Sequence, residues 1–180
     1  MFQKGLLKNN RLVTTVMSNF GFVNAMQSLG IDVVKSQVGD RYVIQEMLKS
    51  ECNIGGEPSG HVIFLDHNAT GDGLVCALQV LRIMIETGQK LSELASSFKR
   101  YPQLMINVKV TSKPPIESIP GLSETIREIE TALQNSGRVL VRYSGTENIL
   151  RVMVEGPKRN VIQQFATQIA NVIKKEIGRE

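Results

Sequence analysis

The sequence predicts an α/β layered domain over residues 1–100, followed by a small α+β domain, ordered β-α-β-β-α, over residues 101–180. Three observations carry that prediction. In the first half, β-branched apolar runs such as Leu12 to Met17 alternate with stretches whose apolar residues recur at helical spacing, the pattern of a layered α/β unit. In the second half, one strand is followed by a helix, a hairpin and a long closing helix. Between them, Lys99-Arg100-Tyr101-Pro102 reads as a junction.

Taken in order, Leu12 to Met17 is a buried strand. Ser18-Asn19 are capping residues for a helix from Phe20 to Leu29, with Phe22, Met26 and Leu29 on its inner face and Gly30 ending it. Ile31 to Val38 is a second strand. Asp40 is the expected N-cap of a helix from Arg41 to Ser50, with Val43, Met47 and Leu48 facing inward. The run Ile54-Gly-Gly-Glu57-Pro-Ser59-Gly-His61 holds three glycines and a proline, which forbid helix and discourage regular strand. Val62 to Leu65 is a strand. After the turn Thr70-Gly71-Asp72-Gly73, the helix Leu74 to Glu86 has Leu74, Leu78, Leu81 and Ile85 in phase. Leu91 to Phe98 is a short helix. In the second half, Leu104 to Val110 is a strand, and Leu122 to Gln134 a helix facing in through Ile126, Ile129 and Leu133. A hairpin pairs Arg138–Arg142 with Ile149–Val154. The closing helix, Asn160 to Ile177, keeps Val161, Phe165, Ile169, Val172 and Ile173 on one face.

Composition narrows the function classes. Hydrophobic content of 42% with 21% charged residues belongs to an ordinary folded protein rather than a disordered one. The net charge of +4 favours anionic small molecules. The cations are scattered pairs, and aromatics are few, so a nucleic-acid footprint is not expected. No apolar run approaches membrane-spanning length, so no membrane partner is expected either. Cys52 and Cys76 form neither a disulfide framework nor a zinc motif, and together with the absence of a signal-like start they fit the cytoplasm. His61 and His67 are too few for a histidine metal site, and Asp40, Asp66 and Asp72 each read better as capping or turn residues, so no metal ligand is assigned.

Two stretches carry chemistry. At the hairpin tip, Arg142-Tyr143-Ser144-Gly145-Thr146-Glu147-Asn148 brings Arg142 near Arg151 of the opposite strand. Two guanidiniums, the Ser144 and Thr146 hydroxyls, and backbone donors around Gly145 suit a phosphate dianion. The alternative is a plain hairpin whose arginines are solvated or paired with Glu147 and Glu155. In the Gly-rich loop, Glu57 and Ser59 suit a polyol: a carboxylate accepts from two neighbouring hydroxyls, and a serine both donates and accepts. The two are placed on one face if the stretch is extended. The alternative there is a surface Ω-loop.

In order along the chain stand Met17-Ser18-Asn19, Val38-Gly39-Asp40-Arg41-Tyr42-Val43, Gly55-Gly56-Glu57-Pro58-Ser59-Gly60-His61, Thr70-Gly71-Asp72-Gly73 and Arg142-x-Ser144-Gly145-Thr146-Glu147. This series resembles the C-terminal half, the third and fourth domains, of the α-D-phosphohexomutases, over essentially the whole chain. Within the family the likeness is greatest to the glucosamine-phosphate member. The resemblance implies that Glu57 and Ser59 read sugar hydroxyls, and that Arg142, Ser144, Gly145 and Thr146, with Arg151 close by, bind the substrate's phosphate. Where this chain has Tyr143 and Asn148 the glucosamine-phosphate member usually has prolines, which would stiffen the loop; where it has Pro58, that member often has glutamine.

The resemblance also implies an activity: phosphoryl transfer between two positions of a hexosamine phosphate through a hexosamine bisphosphate intermediate, with Mg²⁺ as cofactor. The family's phosphorylated serine and its Asp-Gly-Asp-x-Asp-Arg magnesium loop belong to its first two domains and occur nowhere in this sequence. No catalytic residue is therefore assigned here. The expected partners are a small phosphosugar and the N-terminal domains of the same protein, and the chain alone is expected to be inactive. The alternatives are a mannose- or glucose-phosphate member of the same family, or a non-catalytic phosphosugar-binding module.

Overall fold

The computed structural model describes residues 1–179. They divide into two compact units, Met1–Arg100 and Tyr101–Glu180.

The first unit is built on a four-stranded sheet. β1 (Arg11–Thr15) is central, with β2 (Asp32–Ser36) parallel on one side and β3 (Ile54–Gly56) parallel on the other; β4 (Val62–Phe64) runs antiparallel to β3. Parallel neighbours need long crossovers, and α1 (Phe20–Ser28) and α2 (Asp40–Lys49) supply them. Val43 and Met47, one turn apart on α2, are fully buried against Val13, Cys52 and Ile63. Each such side chain contributes about 1.5–3 kcal/mol through burial. Leu48, expected inside, is 65% exposed, because it lies about 100° around the helix from Met47.

The glycines of Ile54–Gly56 do not prevent a strand. A Cβ on Gly55 would stand 2.5 Å from Met47 Sδ and 3.0 Å from Val43 Cγ1, so glycine here is what lets α2 lie directly on the sheet. Asp40 is not the N-cap of α2. Gly39, at φ 126°, takes that position without a side-chain cap, and Asp40 is the first helical residue, where its charge suits the macrodipole. Asn19 does cap α1, accepting from the Gly21 N–H at 3.1 Å. That helix buries Gly21 and Val23 rather than the expected face, and Leu29 is exposed.

α3 (Gly73–Thr87) is capped by Asp72, whose Oδ1 accepts from the N–H groups of Leu74 and Val75. Leu74, Leu78, Leu81 and Ile85, read as an inner face, are all exposed, and Val75, Cys76, Gln79, Val80, Ile83 and Met84 form the half-buried side instead. α4 (Leu91–Ala95) is shorter than the expected helix to Phe98.

The second unit has a three-stranded antiparallel sheet, ordered β5 (Gln103–Lys109), β7 (Ile149–Glu155), β6 (Arg138–Tyr143). Leu150, Val152 and Val154 of the central strand face α5 (Leu122–Leu133) and α6 (Arg159–Ile177) in one apolar core. Ile129 and Leu133 of α5 are buried there, with Ile126 packed at the edge. The buried seam of α6 is Ile162, Ala166, Ile169, Ala170 and Ile173, with Phe165 and Val172 flanking it and Val161 half-buried. The seam is rotated from the expected one and includes two alanines, which periodicity weighted by large residues overlooks.

The sheet face turned from the helices carries an apolar cross-strand pair between two charged ones. Arg138 is in register with Glu155, Leu140 with Met153, and Arg142 with Arg151. Glu155 is fully buried and pairs with Arg138 at the end of the hairpin away from its tip.

Candidate functional site

The tip of the β6–β7 hairpin is the loop 144–148. The strict alternation of strand residues fixes its chemistry: Val139, Val141 and Tyr143 pack on the core, so Arg142 must point to the other face, opposite Arg151. Like charges in register are unfavourable unless something offsets them. Burial first, and the neighbouring Arg151 second, push the Arg142 guanidinium below its ordinary value. An anion between the two guanidiniums would relieve both effects.

The two acids weighed at sequence level do not neutralise this pair. Glu155 is engaged by Arg138. Glu147 reaches only Arg151, at 3.5 Å and from an exposed position. Among the described residues no carboxylate pairs with Arg142. Arg151 Nη2 also lies 3.4 Å from Ser144 Oγ, and its Nε is buried without a hydrogen-bond partner. Ser144 is buried at 3% exposure and its Oγ accepts from the Glu147 N–H at 3.3 Å. Gly145, Thr146 and Asn148 form the exposed rim.

Gly145 does not have a positive φ, and a Cβ there would meet nothing within 4 Å. Glycine is therefore not required here by backbone conformation, and what it gives is an unobstructed approach to the loop backbone. The loop is fastened from outside. Lys113 Nζ donates to the Ser144 carbonyl at 2.9 Å, and the Tyr143 hydroxyl donates to the Pro114 carbonyl at 2.7 Å. Lys113 belongs to no motif read from the sequence; its only signal is a lysine before two prolines just beyond a strand.

The second loop, 57–61, joins β3 to β4. It is a turn and not an extended run: the Gly60 N–H bonds the Glu57 carbonyl at 3.1 Å and the Glu57 N–H bonds the His61 carbonyl at 2.8 Å. Pro58 sits at the position where its fixed φ favours such a turn. The alternation that put Glu57 and Ser59 on one face thus does not apply. Glu57 is half-buried, and its Oε1 accepts from the Gly39 N–H at 2.9 Å. Ser59 is exposed, with its Oγ 3.3 Å from His61 Nδ1. His61 Nε2 in turn lies 3.9 Å from Asp40 Oδ2. The structure thus sets Asp40 and His61, two residues to which no site role was given from the sequence, beside Glu57, with His61 also in contact with Ser59.

Asp40, Glu57 and His61 offer ligand atoms within 4.8 Å of one another. This trio does not fit magnesium, which takes oxygen ligands in near-octahedral order; an imidazole suits zinc, copper or nickel. Its two acids and one ring instead present acceptors and a donor of the kind that hydroxyl recognition uses.

The phosphoglucomutase/phosphomannomutase α/β/α domain III pattern matches residues 1–101, and the C-terminal domain pattern of the same family matches residues 105–172. The chain is 67% identical over 178 residues to a phosphoglucosamine mutase of Protochlamydia amoebophila, covering 99% of this chain and 39% of that protein. It is 53% identical over 176 residues to a phosphoglucosamine mutase of Chlamydia felis, covering 98% of this chain and 38% of that one. It thus spans well under half the length of these curated relatives. Among solved structures, an Aspergillus fumigatus N-acetylphosphoglucosamine mutase shares the fold at TM-score 0.79 and 22% identity, over 97% of this chain and 39% of that one. A structure of that enzyme with GlcNAc-6P and magnesium aligns at TM-score 0.76 and 20% identity, over 92% of this chain and 39% of that one. The chain belongs to the phosphoglucomutase/phosphomannomutase family, the α-D-phosphohexomutases, and carries that family's third and C-terminal domains.

Proposed function

We propose that this chain forms the substrate-reading part of a phosphoglucosamine mutase, which interconverts glucosamine 6-phosphate and glucosamine 1-phosphate in the cytoplasm through a bisphosphorylated sugar. The observation that carries the reading is the in-register pair Arg142 and Arg151 at a hairpin tip, with no carboxylate on Arg142 among the described residues. The choice of glucosamine rests on the 67% identity to a relative of that name.

In this reading Arg142 and Arg151 hold whichever phosphate is not reacting, and Ser144, Gly145 and Thr146 complete its donors. Glu57 and Ser59, with Asp40 and His61 beside them, read the ring hydroxyls. Phosphoryl transfer depends mostly on positioning and charge stabilisation, and these loops provide the positioning. The phosphoserine and the magnesium that shields the transferring phosphoryl group belong to the family's other domains, which here act as the partner of this chain. The 180 residues by themselves are expected to bind phosphosugar weakly and to turn nothing over.

The test is a graft: this chain replaces the matching segment of the Protochlamydia relative, and the product is assayed on glucosamine 6-phosphate with magnesium and a hexose bisphosphate primer. Turnover is expected, and it should collapse in the Arg142→Ala graft. A folded graft active only on mannose or glucose phosphates would overturn the sugar assignment. Unchanged kinetics in Arg142→Ala would overturn the phosphate assignment. Turnover by the ungrafted chain would mean that it holds a phosphoryl acceptor not assigned here.

A further inference from the structure

The peptide joining Ser144 to Gly145 is the pivot of the phosphate loop. Among the described residues there are no cis peptides, so this unit is trans and planar, and its C=O and N–H point in opposite directions. The carbonyl points at Lys113 Nζ, 2.9 Å away. The Gly145 N–H must therefore point away from Lys113. Glycine on one side of a peptide lowers the cost of rotating it, and a Cβ at Gly145 would meet nothing within 4 Å, so the glycine side of this unit is open.

The lysine is well placed to hold the unit. Its segment is tied to both ends of the same loop. The Val110 N–H bonds the Asn148 carbonyl at 3.0 Å, and the Tyr143 hydroxyl bonds the Pro114 carbonyl at 2.7 Å. Pro114 and Pro115 stiffen the chain just beyond the lysine. Only the side chain of Lys113 must be ordered for the bond to form.

We propose that Lys113 is a positioning residue of the phosphate loop: by holding the Ser144 carbonyl it fixes the Ser144–Gly145 peptide in the orientation that offers the Gly145 N–H to an anion. The inference rests on the reading of this hairpin tip as a phosphate site. It assigns Lys113 a role through the backbone rather than as one more cation on the ligand. A loop with the plane set in advance does not have to reorganise on binding.

The experiment is a titration of the ¹⁵N-labelled 180-residue chain with inorganic phosphate, followed through backbone amide signals at low and high chloride. In the wild type, phosphate should move the amides of residues 144–147. Lys113→Met should shift the Gly145 amide before phosphate is added and weaken phosphate binding about five- to tenfold, the value of one hydrogen bond of roughly 1 kcal/mol. That ratio should persist at high chloride, because an orienting hydrogen bond is not screened as a distant charge is. Lys113→Arg, which keeps a donor, should recover most of the affinity. A Lys113→Met chain with an unmoved Gly145 amide and wild-type affinity would overturn the proposal. So would a loss that vanishes at high chloride, since that marks a charge effect only. Arg142→Ala separates the two readings: if it weakens binding while Lys113→Met does not, the phosphate site stands and the lysine's role falls. If phosphate leaves the wild-type loop unmoved, both fall.

Discussion

The two candidate loops have the same length and connection: residues 57–61 and residues 144–148 each close a β-hairpin. They differ in what stands beneath them. The first caps strands of three residues each, and is held by a Glu57 bond to the Gly39 N–H and a Ser59–His61 contact, with Asp40 3.9 Å from His61. The second caps strands of six and seven residues, and is held from outside by Lys113, Tyr143 and a strand-borne arginine. The difference follows the chemistry each loop would do. A dianion between two guanidiniums needs cations held against their own repulsion, which takes a rigid sheet. Hydroxyl recognition needs weaker, adjustable donors and acceptors, which a turn can supply.

The largest expected effect lies under the second loop. Arg138→Met leaves Glu155 buried without its arginine and should cost about 3 kcal/mol of stability, as for breaking a buried ion pair. Urea denaturation followed by signals from each unit would locate the loss in residues 101–180. Equal loss in the first unit would break the distinction drawn above.

Next comes Arg142→Ala. It removes charge-assisted hydrogen bonds of about 1.5–3 kcal/mol from phosphate binding, while stability holds or rises because a cation beside Arg151 is gone. Calorimetric titration with phosphate, paired with a melting curve, reads both. A destabilised variant would mean that the arginine serves the fold.

Tyr143→Phe deletes the hydroxyl bonded to Pro114 and should cost about 1 kcal/mol, with faster amide exchange in residues 110–115 and 144–148. It asks how far this tyrosine bond stiffens the loop. Exchange rates equal to wild type would mean that it does not.

The smallest structural effect belongs to Glu57→Gln. The amide keeps an oxygen for the Gly39 N–H, so stability should change by no more than about 0.5 kcal/mol. In the grafted enzyme the same change should lower kcat/KM, because a donor replaces one acceptor of the carboxylate. A large drop in melting temperature would recast Glu57 as a structural residue.

How much of this was legible beforehand depends on the range of the interaction. The Arg142–Arg151 juxtaposition follows from strand alternation across a short tip, which is local. Asp72 at the start of α3 is local too. The faces of α1, α3 and α6 were not legible in the same way. Periodicity says that Leu74, Leu78, Leu81 and Ile85 share a side, yet all four stay exposed; in α6, the seam runs through Ile162, Ile169 and Ile173 with two alanines between them rather than through Phe165. A repeat reports that a face is apolar, not which segment covers it. Gly55 was misread for a related reason: its worth as a strand residue comes from Met47 and Val43 lying on it.

By itself the sequence determined the order of the elements and the motifs that mark the family, and it singled out the two loops whose residue types carry the proposed ligand chemistry, because residue type and near spacing carry that information. Tertiary structure alone decided that Glu57 bonds Gly39, that His61 and Asp40 join the first loop, and that Lys113 reaches across 31 positions to the Ser144 carbonyl. Those contacts join residues far apart in the chain. They exist only once helices and strands have packed, and nothing in a local pattern specifies which distant partner a side chain will meet.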